Sequence, residues 1–162
     1  MIELRTPAEI DRLRIAGEFV GSVLTATAAA SAVGVNLLEL DALAHDMIRA
    51  RGAESCYIDY HPSFGGSPFG KVICTSVNDA ALHGLPHDYR LRDGDVLSLD
   101  FAASVDGWVS DSAVTIIVGT PRPEDQRLIE VTSRALDAGI AAATVGNRIG
   151  DISAAIGDVA HA

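Results

Sequence analysis

The segment spanning residues 96–118 constrains the fold of this chain more than any other. Two β-rich runs, Val96-Leu97-Ser98-Leu99-Asp100-Phe101-Ala102 and Trp108-Val109-Ser110-Asp111-Ser112-Ala113-Val114, flank Ser104-Val105-Asp106-Gly107, a tight turn with Gly in its last position. The pattern predicts an antiparallel hairpin. Each run is interrupted by one aspartate. With the chain reversing at Val105 and Asp106, Ser104 faces Gly107, and the same register sets Asp100 directly opposite Asp111. Like charges facing each other across strands are destabilising, and buried unpaired carboxylates more so. A divalent cation between the two would turn that cost into binding. The competing reading puts one of the aspartates at a bulge, pointing to water.

The chain has 162 residues, enough for one domain (1–162) with a real core, and its 48% hydrophobic and 21% charged content is ordinary for a globular protein. A net charge of -10 argues against nucleic acid as a partner, because phosphate contacts need clustered Lys and Arg. The same charge would help collect cations, although solubility explains it equally well. The longest apolar-leaning stretch, 19–35, contains Ser22, Thr25, Thr27 and Ser31 and reads as an amphipathic helix, not a membrane span. No signal peptide is expected. Cys56 and Cys74 lack zinc-type spacing, and reduced thiols in a cytoplasmic setting are expected.

Thr6-Pro7-Ala8-Glu9 predicts a helix start: Thr6 as cap, Pro7 in the first turn, Glu9 closing a capping box. Ile10, Leu13, Val20, Val23 and Leu24 form its apolar face. Asn36-Leu37-Leu38-Glu39 opens a second helix, which Gly52 ends. A short strand is expected at 57–60, a Gly/Pro-rich loop at 61–71, and strands at 72–77, 96–102 and 108–118. Arg92-Asp93-Gly94-Asp95 forms the turn into the Asp100 strand. Helices at 123–143 and from 149 onward follow. Ala28-Ala29-Ala30 leading to Val33-Gly34 is weakly echoed by Ala141-Ala142-Ala143 leading to Val145-Gly146. This suggests that a second copy of a helix–helix–strand unit begins and is interrupted at Ala162.

Carboxylates on neighbouring strands form a rigid oxygen platform for hard divalent cations. Ser98 and Ala102 share the Asp100 face and leave room for a ligand. His83, in Asn78-Asp79-Ala80-Ala81-Leu82-His83-Gly84-Leu85-Pro86, sits where a loop can present an imidazole to a cleft. A polar surface histidine is the plainer reading. His45, His87 and His161 read as structural or solvated. Tyr60, His61, Phe64 and Cys74 flank the Gly/Pro loop and are candidates for a pocket wall. Core packing is the alternative for Cys74.

These segments together resemble the type I methionine aminopeptidases, metallopeptidases of the pita-bread (creatinase/aminopeptidase) fold. The resemblance is carried by Thr6-Pro7-Ala8-Glu9-Ile10, by Cys74-Thr75-Ser76-Val77-Asn78 with His83-Gly84-Leu85-Pro86, by Asp93-Gly94-Asp95 before Leu99-Asp100, and by Gly107 through Asp111-Ser112 to Val118-Gly119. The motifs run in family order over nearly the whole chain. The resemblance implies an α+β fold, an antiparallel sheet covered by helices, of which this chain holds the first half plus two helices of the second. It implies Asp100 and Asp111 as metal ligands, the latter bridging two divalent ions (Co, Mn, Fe or Zn). It implies His83 as a catalytic residue that contacts substrate, and Tyr60 and Cys74 as substrate-binding residues in the methionine pocket. The implied reaction is removal of N-terminal methionine from nascent proteins in the cytoplasm. The family's remaining His and two Glu ligands are not matched, so the metal site is expected to be incomplete and the chain to have little activity alone.

Two other readings compete. A half-fold of this kind could serve as a non-catalytic binding module or self-associate through the surface it leaves uncovered. A carboxylate-pair glycosidase needs its two acids on separate walls of a sugar site, which a directly paired hairpin couple fits poorly. The prolidase branch shares the pita-bread fold, but the short N-terminal segment favours the methionine enzymes.

Overall fold

The computed structural model describes residues 3–61, 63 and 66–162, in two compact units, 1–120 and 121–162. In the first unit, helix α1 (Pro7–Ala30) starts as its sequence predicts. The Thr6 side chain accepts the Glu9 N–H, and the Glu9 carboxylate accepts the Thr6 N–H at 2.7 Å. Helix α2 (Leu37–Arg51) repeats the device with Asn36 and Glu39. It ends at Gly52, whose φ of 67° is left-handed, a conformation glycine adopts without a Cβ penalty. Ala16, Val20, Val23 and Leu24 of α1 and Leu37, Leu40, Ala44 and Ile48 of α2 are buried, whereas Ile10 remains partly exposed.

The strands are β1 (Glu54–Ser55), β2 (Cys74–Val77), β3 (Val96–Val105) and β4 (Trp108–Ile117). β3 is the hub: β1 and β2 pair along one of its edges and β4 along the other, all antiparallel. β1 replaces the strand expected at 57–60. That segment turns instead, because the Ser55 hydroxyl accepts the N–H groups of Tyr57 and Ile58 and Tyr60 closes back on the Tyr57 carbonyl.

The hairpin also differs from expectation in register. Val105 pairs with Trp108, so the loop is the two residues Asp106 and Gly107, with φ of 51° and 81°. Two consecutive positive φ values are what a two-residue hairpin loop needs to match the right-handed twist of its strands. Asp100 therefore pairs with Ala113, and Asp111 with Ala102. The aspartates are diagonal neighbours, not direct opposites. Their shared face survives because the register differs by two residues, and only an odd slip would move side chains to the other face.

β3 alternates except at Ala102, which is buried although it lies on the Asp100 face. Leu97, Leu99, Phe101, Ala103 and Val105 are buried in the core with α1 and α2, Phe101 edge-on to Phe19. Ser98, Asp100 and Ser104 on the opposite face are only partly buried. The second unit is a helix pair, α3 (Pro123–Ala142) and α4 (Ile149–Ala160), close as expected to the predicted bounds. They approach so tightly that a Cβ at Gly139 would lie 2.9 Å from the Ile156 side chain. No helix among the described residues is long and apolar enough to cross a membrane.

Candidate functional site

The partly exposed face of the sheet carries the candidate chemistry. Strand register sets Cys74 opposite Asp100 and Ser76 opposite Ser98. On the other edge, Asp111 lies diagonal to Asp100, and the Ser98 and Thr115 hydroxyls bond at 2.8 Å. The two aspartates and Cys74 are thus brought together by three strands, on a rigid support rather than on loops.

The electrostatics of the pair are those of a site short of positive charge. Partial desolvation and then the neighbouring Asp100 carboxylate push the Asp111 carboxyl above the usual carboxylate range, partly offset by the Tyr57 hydroxyl. Burial and then the same two carboxylates push the Cys74 thiol up to about 12, so this buried side chain is neutral at physiological pH. Cys56 is also shifted upward, first by burial and then by Asp111 and Glu54.

Tyr57 is the member that reading the sequence missed. Its hydroxyl donates to Asp100 Oδ1 at 2.8 Å, and its ring stands edge-on to Phe69 at 6.0 Å. Burial, the Asp100 bond and the nearby charges keep the phenol protonated and hence a donor. Its neighbour Tyr60 drew the attention by flanking the Gly/Pro loop, but Tyr60 is 60% exposed. Nothing local marks Tyr57: its partner lies 43 residues away. Phe64 lies outside the described residues.

His83 is presented on the loop that follows β2. It is exposed and makes no hydrogen bond or ion pair to either aspartate among the described residues. Its backbone is unusual: φ is 55°, left-handed, and sparsely populated for a residue with a Cβ. Gly84, next to it, is pinned to β2. Its carbonyl accepts the Thr75 N–H at 2.7 Å and its N–H donates to Ser76 Oγ at 3.0 Å. A Cβ there would overlap the Thr75 carbonyl and come within 2.7 Å of Ser76 Cα. Among the described residues the His87 and His161 rings bond only to nearby backbone carbonyls.

The donor chemistry fits a hard divalent cation. The Asp100 carboxylate raises the cost of charging Asp111, which a cation relieves. Among the described residues no group of three or more His, Cys, Asp and Glu side chains gathers as a metal site, so the two aspartates stand as a pair.

Comparison with known proteins gives the family and the fold. Residues 11–162 match the family described as metallopeptidase family M24. A methionine aminopeptidase of Aquifex aeolicus is 38% identical over 161 residues, covering 99% of this chain and 62% of that protein. Methionine aminopeptidase 1 of Mycobacterium tuberculosis is 40% identical over 157 residues, covering 96% of this chain and 57% of that protein. The crystal structure of methionine aminopeptidase from Rickettsia prowazekii superposes with a TM-score of 0.93 at 31% identity, over 99% of this chain and 62% of that one. The chain spans about three-fifths of the length of these relatives.

Proposed function

This chain belongs to metallopeptidase family M24, with the pita-bread fold, and from that premise we propose that it serves removal of the N-terminal methionine of peptides and nascent proteins. The observation that carries the reading is the diagonal Asp100–Asp111 pair on one sheet face, with a charge repulsion that a cation would relieve. Asp100 and Asp111 would hold divalent metal. When bound, the metal supplies Lewis-acid polarisation of the scissile carbonyl and a nucleophile at neutral pH.

The chain's own residues have distinct tasks. Tyr57 fixes the orientation of the Asp100 carboxylate through its hydroxyl. His83, held in a strained backbone on a pinned loop, donates a hydrogen bond to charge developing on the substrate carbonyl. Cys74 offers a neutral thiol and Tyr60 an accessible ring to the apolar methionine side chain. With two carboxylates as protein donors, cation binding is weak, with a Kd on the order of 10⁻⁴ M or higher.

The test is methionine release from a Met-Ala peptide by the purified chain with added Co²⁺ or Mn²⁺, alongside isothermal titration with the metal alone. Metal binding that is lost in Asp111→Asn, with any release being chelator-sensitive, supports the assignment. Equal metal affinity in wild type and Asp111→Asn would overturn it.

A further inference from the structure

Asp95 opens the way to a second kind of contribution. It is 5% exposed and lies at the mouth of β3, and among the described residues every group that its carboxylate binds belongs to the 78–92 segment that carries His83. Its Oδ1 accepts from Asn78 Nδ2 at 2.9 Å, at the start of that segment. Its Oδ2 accepts from the Tyr89 hydroxyl at 2.9 Å and from the Arg92 N–H at 2.8 Å, at the end. A carboxylate needed only for the turn into β3 would require the Arg92 N–H alone. The reach to Asn78 and Tyr89 closes the loop across its two ends.

The anchors on either side are themselves fixed. Asn78 has a φ of 52°, its amide oxygen accepts the Val96 N–H, and its own N–H donates to the Val96 carbonyl. Tyr89 and Leu91 bond through their backbones to the 34–37 segment that precedes α2. The ring of Tyr89 also lies under the Arg92 guanidinium, 5.4 Å from the ring centre. Between these ends Gly84 is fastened to β2, Asp88 Oδ1 accepts from Asn36 Nδ2 at 2.6 Å, and the Ala80 N–H donates to the Val77 carbonyl. A left-handed His83 and a left-handed Asn78 are costly conformations, which persist only where surrounding contacts over-determine them.

We propose that Asp95 is a positioning residue that closes the 78–92 loop and thereby holds His83, beside the β2-fastened Gly84, in its left-handed backbone. This deepens the functional reading above and rests on it only for the role of His83. In Asp95→Asn, one acceptor oxygen becomes a donor facing donors. Asn78 cannot turn to compensate, because its amide oxygen is already engaged by Val96.

The Thr75 amide reports on loop docking, because it donates to Gly84 in the loop, whereas Leu99, paired with both β2 and β4, reports on the sheet. Hydrogen exchange and backbone carbon shifts would be measured by NMR on the full chain. In Asp95→Asn, Thr75 should exchange about tenfold faster than any change at Leu99 explains, and His83 shifts should leave left-handed values. Tyr89→Phe, which removes one bond, should give a smaller rise, about threefold, and decides the matter if Asp95→Asn does not fold. Thr75 exchange that is unchanged, or that rises only in step with Leu99, would overturn the proposal. Neither readout needs metal or peptide, so failure of the methionine-release assay and failure of this test are separable.

Discussion

Asp95 and Asp111 are the same residue on the same hairpin system, yet their surroundings act on them in opposite directions. Burial raises the cost of charging Asp95, but the Arg92 N–H, Asn78 and Tyr89 outweigh it and hold the carboxyl below its ordinary value. At Asp111, desolvation and the Asp100 charge meet little compensation, and the carboxyl rises. The first carboxylate is satisfied by the chain itself. The second is left under-compensated, which is what the proposed metal role asks of it. Where a protein leaves a carboxylate pair under-compensated on a rigid sheet, it has kept capacity for binding that stability alone would have removed.

Several variants break or sharpen this contrast. Asp95→Ala leaves the Arg92 N–H, the Asn78 amide and the Tyr89 hydroxyl without their acceptor, and should cost about 3 kcal/mol in urea unfolding. Gly84→Ala forces a Cβ into the Thr75–Ser76 backbone and should cost about 2 kcal/mol, with loss of Thr75 amide protection. Asp111→Asn points the other way. Removing a like charge near Asp100 should leave stability unchanged or raise it by about 0.2–0.5 kcal/mol, while abolishing the rise in Tm expected of the wild type on addition of Mn²⁺.

The pH response follows from sign. A carboxyl whose folded-state pKa is depressed contributes stability that is fully present above its unfolded value, about 3.9, and is lost as pH falls through the folded value. Asp95 is such a group. Between pH 6 and pH 3, wild type should therefore lose more unfolding free energy than Asp95→Asn. Equal losses in the two proteins would remove Asp95 from the accounting.

The site was partly legible in the sequence. Asp100 and Asp111 stood out because carboxylates in β-rich runs are rare, and their shared face survived the corrected register because strand alternation has a period of two. The register itself was misplaced by reading a four-residue turn one residue early. The Asp106-Gly107 pair, with its preference for positive φ, was the signal that located the loop. Tyr57 carried no signal, since its bond to Asp100 joins a turn to a strand across the fold.

Helix starts at Thr6 and Asn36, the helix end at Gly52 and the buried stripe of β3 were determined by sequence, because capping, left-handed glycine and alternation act within a few residues. The meeting of Cys74, Tyr57 and the two aspartates on one face, and the reach of Asn78 across the loop to Asp95, were decided only by tertiary structure. Those contacts depend on which backbone segments the core brings side by side, and no local preference encodes that.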